Sequence, residues 1–154
     1  MPDTRIKELK EFLQPYSAPV RKLVWELRSF TWALYPTANE LIYDNYNAVA
    51  IGWSASDKLK DCFCNIAVYS TYVHFGFYWG NELSDPEKRL QGNGHQYRYI
   101  QVATATDFPK TYVRKLLKEA WAHALSKLPL GRQTITGITV VKSISAKKRR
   151  PAAE

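Results

Sequence analysis

Cysteine is scarce in this chain of 154 residues: there are two, Cys62 and Cys64, one residue apart. Thiols so placed cannot staple a domain of this size. Their spacing is not the two-residue gap of zinc ribbons or thioredoxin-like motifs either, and the expectation is a pair of buried, inert thiols sharing one strand face. No apolar run reaches the roughly 18 residues needed for a membrane-spanning helix. The opening Met1-Pro2-Asp3-Thr4-Arg5 lacks the basic-then-apolar pattern of a secretory signal, so a soluble cytoplasmic protein is expected. Acidic residues are outnumbered 14 to 22, giving a net charge of +8. The excess is concentrated near the end: Arg132, Lys142, Lys147, Lys148, Arg149 and Arg150 face a single acid, Glu154, and the rest is nearly balanced.

What is present is the composition of a folded domain, 45% hydrophobic and 14% aromatic. Asp3 or Thr4 can cap a first helix with Ile6, Leu9, Phe12 and Leu13 on one face. Ser17 and Pro19 open a second helix, carrying Val20, Leu23, Val24, Leu27, Phe30 and Leu34, which Pro36 stops. Trp25 and Trp32 lie seven apart and are expected against a sheet. Two apolar runs flank Asp44-Asn45-Tyr46-Asn47, a turn between two strands. Residues 62–69 and 72–79 read as an antiparallel pair in which Tyr69 meets Tyr72. Alternation then gathers Cys62, Cys64, Ile66, Val68, Val73, Phe75, Phe77 and Trp79 on a core face, and a tyrosine-rich, half-polar set on the other.

A strand over 97–103 follows. Asp107 is expected to cap a long helix with Pro109 in its first turn, and Pro129 and Gly131 to end it; 134–145 reads as the last strand. The fold class is α+β: one domain, with an antiparallel sheet of about five to six strands against two N-terminal helices and one long C-terminal helix. That domain spans 1–146, and 147–154 is expected to be a disordered basic tail.

The candidate ligand-binding residues come from three segments. Tyr43, Asp44, Asn45, Tyr46 and Asn47 put more polar chemistry into a corner than a turn needs. Tyr72, His74 and Tyr78 share the polar sheet face. Gly92, Gly94, Gln96 and Arg98 belong to a Gly-rich basic segment, read either as a flexible turn or as a backbone anion nest helped by Lys88 and Arg89. Gly92-Asn93-Gly94 is no dinucleotide fingerprint, because position 97 is Tyr and a strand follows where a helix is required. No nucleophile elbow accompanies His74, His95 or His123, so no catalytic residue is assigned, although Asp44 could serve as a base. No metal-ligand spacing occurs, and no metal site is assigned.

The runs LRSFTWALYPTANELIYDNYNAVAIGW, CFCNIAVYSTYVHFGFYWG and LQGNGHQYRYIQV resemble the YdhG-like family of small bacterial domains of unknown function. The likeness covers residues 5–146 and is most specific at Tyr43 to Ala48 and from Leu90 to Arg98. It implies an antiparallel sheet packed against N-terminal helices and a C-terminal helix. No cofactor is assigned; one distant branch is associated with a frataxin-like role in intracellular iron delivery, and iron enters by that family analogy only.

The leading expectation is a non-enzymatic domain binding a small polar or anionic ligand in one cleft shared by the three segments. The second, from the family alone, is an iron carrier. The third is weak nucleic-acid association through Lys147, Lys148, Arg149 and Arg150. An exposed edge strand would let two copies pair as a homodimer.

Overall fold

Helices α1 (Ile6–Leu13) and α2 (Ala18–Leu34) form where apolar residues recur every three or four positions. Ser17 caps α2: its Oγ accepts the Val20 N–H at 3.4 Å, and Pro19 sits in the first turn, where a missing N–H leaves nothing unpaired. The helix ends at Leu34, two residues before Pro36, with Tyr35 N–H closing on the Thr31 carbonyl. The computed structural model describes residues 6–129 and 137–147. The Asp3/Thr4 cap, the Gly131 helix end, the start of the last strand and Lys148, Arg149 and Arg150 lie outside the described residues.

Five strands form an antiparallel meander: β1 (Asn39–Asp44), β2 (Val49–Ser54), β3 (Cys62–Val68), β4 (Val73–Phe77) and β5 (Arg98–Val102). The β3/β4 register has Val68 opposite Val73 and Tyr69 N–H bonded to the Tyr72 carbonyl at 2.9 Å, as the turn chemistry predicts. Strand β6 (Thr139–Ile144) adds to the outer edge of β1, giving the order β5-β4-β3-β2-β1-β6. It runs parallel to β1, so the sheet is mixed where an antiparallel one was expected. The β1/β2 hairpin occupies only one edge of β1, and the chain comes back to the other after crossing a sheet face as helix α3 (Lys110–Ser126).

Two expected details differ. Asp107 does not cap α3; with Thr104 it closes a capping box around the 3-10 turn Ala105–Asp107, and Pro109 stands at the N-cap. The cysteines do not share a face. Trp53 pairs with Cys64 but Ser54 pairs with Cys62, which makes Phe63 the extra residue of a β-bulge and inverts the alternation before it. Phe63 and Cys64 join the core, whereas Cys62 lies by Gly52 on the opposite face.

One face carries the core. Ile42, Ile51, Ile66, Phe75 and Ile100 stand in register across five strands, under α2 and α3. Trp32 of α2 meets Trp53 edge-on at 6.2 Å, fully buried; burial of a ring this size stabilises by about 1.5–3 kcal/mol or more. Trp25 packs against the edge of the core. It stays half-buried on α2 with the Arg28 guanidinium 5.5 Å from its ring. Tyr16, after α1, stitches the turn end together, its hydroxyl donating to the Val68 carbonyl at 3.1 Å and accepting the Val49 N–H at 3.4 Å.

The core face also holds an ion pair. Arg28 of α2 grips Glu40 of β1 through Nε–Oε2 at 2.6 Å and Nη2–Oε1 at 2.8 Å, and Thr139 Oγ1 of β6 donates to the same carboxylate at 2.8 Å. The two charged side chains are 5% and 0% exposed. Removal of one partner strands a buried charge. Glu40→Ala is therefore expected to lower unfolding stability by about 3–5 kcal/mol in urea titration, and Arg28→Met/Glu40→Leu to recover most of the loss.

Candidate functional site

The structure does not gather the three candidate segments into one cleft. Asp44 ends β1 on the helical side, beside Val49 and 3% exposed. Asn45, Tyr46 and Asn47 form an exposed turn closed by Asn45 N–H to the Ala48 carbonyl at 3.0 Å. Tyr43 points the other way, as alternation requires. His74 and Tyr72 lie on that second face, while Arg98 begins β5, which is four strands from β1, about 19 Å at a 4.8 Å strand spacing.

The Gly-rich segment is not arranged as an anion nest. Gly92 takes φ +112°, a left-handed conformation, as Gln91 pairs with Tyr99. Arg98 Nη1 donates to the Gly94 and Tyr97 carbonyls at 2.8 Å each, so carbonyl oxygens converge on a cation. An anion nest needs N–H groups doing so. The Gln96 carbonyl accepts the Asn81 N–H at 3.0 Å. Arg98 thus shapes the loop.

The second sheet face is an aromatic layer. His74 stacks on Tyr99 at 3.8 Å and 8°, and Tyr72 on His74 at 5.3 Å and 29°. Tyr69 leans on both Tyr72 and His74, and Tyr97 links Tyr99 to Tyr78. Gly76 makes room: a Cβ there would stand 1.9 Å from the Tyr97 hydroxyl, which donates to Asn65 Oδ1 at 2.9 Å. Burial raises the pKa of Tyr69, Tyr78 and Tyr97, and these phenols stay neutral. The Cys62 thiol is pushed up to about 12 by burial, so it is unreactive at neutral pH. Tyr72 and Tyr99 stack on His74 and the other rings meet tilted or edge-on, so the layer packs on itself as a cover for the sheet.

A concavity of about 870 Å³ lies on the other side of the molecule, between α2 and the start of α3. Trp25, Phe30 and Phe108 give it apolar walls, and Arg21, Lys22, Lys110 and Arg114 surround them against one acid, Glu26. Phe30 meets Phe108 edge-on at 5.1 Å, and the Arg114 guanidinium lies 5.5 Å from the Phe30 ring. Cations over rings in a shared cleft favour an anion carrying a flat apolar part. This cleft was missed in the sequence because its residues come from two helices more than 70 positions apart. The available signal was local: Arg21, Lys22, Trp25 and Glu26 form one stripe of α2, and Lys110 and Arg114 are one turn apart on α3.

Among the described residues no group of three His, Cys, Asp or Glu side chains is placed to hold a metal ion, and no helix is long and apolar enough to cross a membrane. In comparisons with known proteins, no family model, no curated protein and no solved structure matches the chain.

His74 yields a pH test. Burial lowers its pKa below the ordinary 6.5, against an opposing contact with Gln101 Oε1 at 3.3 Å. The unfolded chain then takes up the proton first, so the contribution is present above pH 6.5 and is lost as pH falls through the folded-state value. The urea midpoint should drop between pH 7 and pH 5, and His74→Phe should flatten that drop; an equal drop in the variant would contradict the assignment.

Proposed function

We propose that this protein is a non-enzymatic binding domain whose ligand is a small anion with a flat apolar moiety, seated between α2 and α3. The observation that carries the reading is the cleft of about 870 Å³ in which four cations surround three aromatic rings. The rings supply apolar and π contact while the cations, kept at the rim, retain water until an anion displaces it. Membership of the YdhG-like family belongs to the same proposal and rests on the stretches from Tyr43 to Ala48 and from Leu90 to Arg98.

An anilinonaphthalene sulfonate, which has a fused ring and a fixed negative charge, is a suitable probe. It should bind the wild type saturably at one site, with enhanced probe fluorescence. Arg114→Glu should weaken it by about tenfold or more, since it removes one attraction and adds one repulsion worth about 1–2 kcal/mol together. Circular dichroism should report an unchanged fold, because Arg114 is exposed. Saturable binding that Arg114→Glu leaves unaltered would reject the cleft as the site.

A further inference from the structure

The cleft between α2 and α3 does not end at α3. Phe108 and Lys110 also line a second concavity of about 380 Å³ on the far side of the α3 start, against the 85–90 loop. Arg89 and Lys115 bring two more cations there, and Glu87 the one further carboxylate. Tyr112 brings another ring, with the Arg89 guanidinium 5.2 Å from it. The loop is fixed in place: Asp85 accepts the Arg89 and Leu90 N–H groups at 2.9 and 3.1 Å and the Tyr112 hydroxyl proton, and that hydroxyl in turn accepts the Glu87 N–H at 3.0 Å.

We propose that the two concavities form one trough for a single-stranded nucleic acid, which extends the function proposed above from a small anion to a polyanion and rests on it. Six cations against two carboxylates make the trough strongly basic, whereas the body of the chain is nearly balanced. Trp25 and Phe30 on α2 present partly exposed rings among these cations, while Phe108 at the junction and Tyr112 on α3 are buried and only floor the trough. Phosphates meet Lys and Arg while bases meet rings, the combination by which single strands are held without sequence readout. An acidic peptide would satisfy the charges but leave the Trp25 and Phe30 rings without flat partners. The trough lies within the folded body.

Fluorescence anisotropy with a labelled oligothymidylate of about ten nucleotides tests the proposal. Wild type should bind with log K falling against log salt, and Arg89→Glu/Lys115→Glu should weaken binding by tenfold or more and reduce the slope by about 1.4, at roughly 0.7 per lost phosphate contact. Replacement of Lys147, Lys148, Arg149 and Arg150 by Gln in the full chain should leave most of the binding in place. The proposal is overturned if the double variant binds as wild type does, if the four tail substitutions abolish binding, or if a labelled oligoglutamate of equal length binds equally well. The naphthalene sulfonate separates the two readings: retained probe binding with no oligonucleotide binding rejects only the trough, and loss of both rejects the cleft as well.

Discussion

The buried fork between Arg28 and Glu40 constrains the rest of the architecture. A charge pair so fully removed from water is tolerable only when hydrogen bonds replace the lost hydration, and here three elements supply those bonds together. Arg28 fixes the rotation and depth of α2 on the sheet, Glu40 fixes the register of β1, and Thr139 brings β6 to the outer edge of β1. The parallel strand is the least local pairing in the sheet, its partners lying about 99 residues apart by the Thr139–Glu40 contact. A polar contact of defined geometry gives that pairing a specificity that apolar packing alone would lack.

Alternation along the strands then divides the chemistry between two faces. The helical face receives the aliphatic column and the tryptophans. The second face receives tyrosines, which cover the sheet with ring surface while keeping a hydroxyl at the boundary with water. Glycines at positions 52 and 76 let those rings lie close to the backbone. The bulge at Phe63 moves Cys62 into that layer and sends an additional ring to Tyr35 and Trp121 on the helical side. One inserted residue thus changes which face two side chains serve, Cys62 and Phe63.

The helices have a division of their own. Their inner stripes fill the core, and where α2 and the start of α3 diverge, the outer edges leave a cleft walled by rings and rimmed by cations. Trp25 belongs to both: it lies beside the buried fork through Arg28 and opens to the cleft. The fork therefore also positions the wall of the concavity best suited to a ligand.

Much of this was legible in residue order. The spacing of Val20, Leu23, Val24 and Leu27, the Ser17 cap, Pro36, and the β3/β4 register all follow from interactions within a few residues or between neighbouring strands, and these are what patterning encodes. The α+β class followed from them. The tertiary structure alone decided the rest. The bulge at Phe63 is visible only in the β2/β3 pairing, the direction of β6 depends on where α3 crosses, and the Arg98 guanidinium is held by the Gly94 and Tyr97 carbonyls. The expected cleft among Asp44, His74 and Arg98 dissolved because strand alternation and four strand widths separate them. The basic cleft formed because two helices distant in sequence pack side by side, a proximity that no local pattern records.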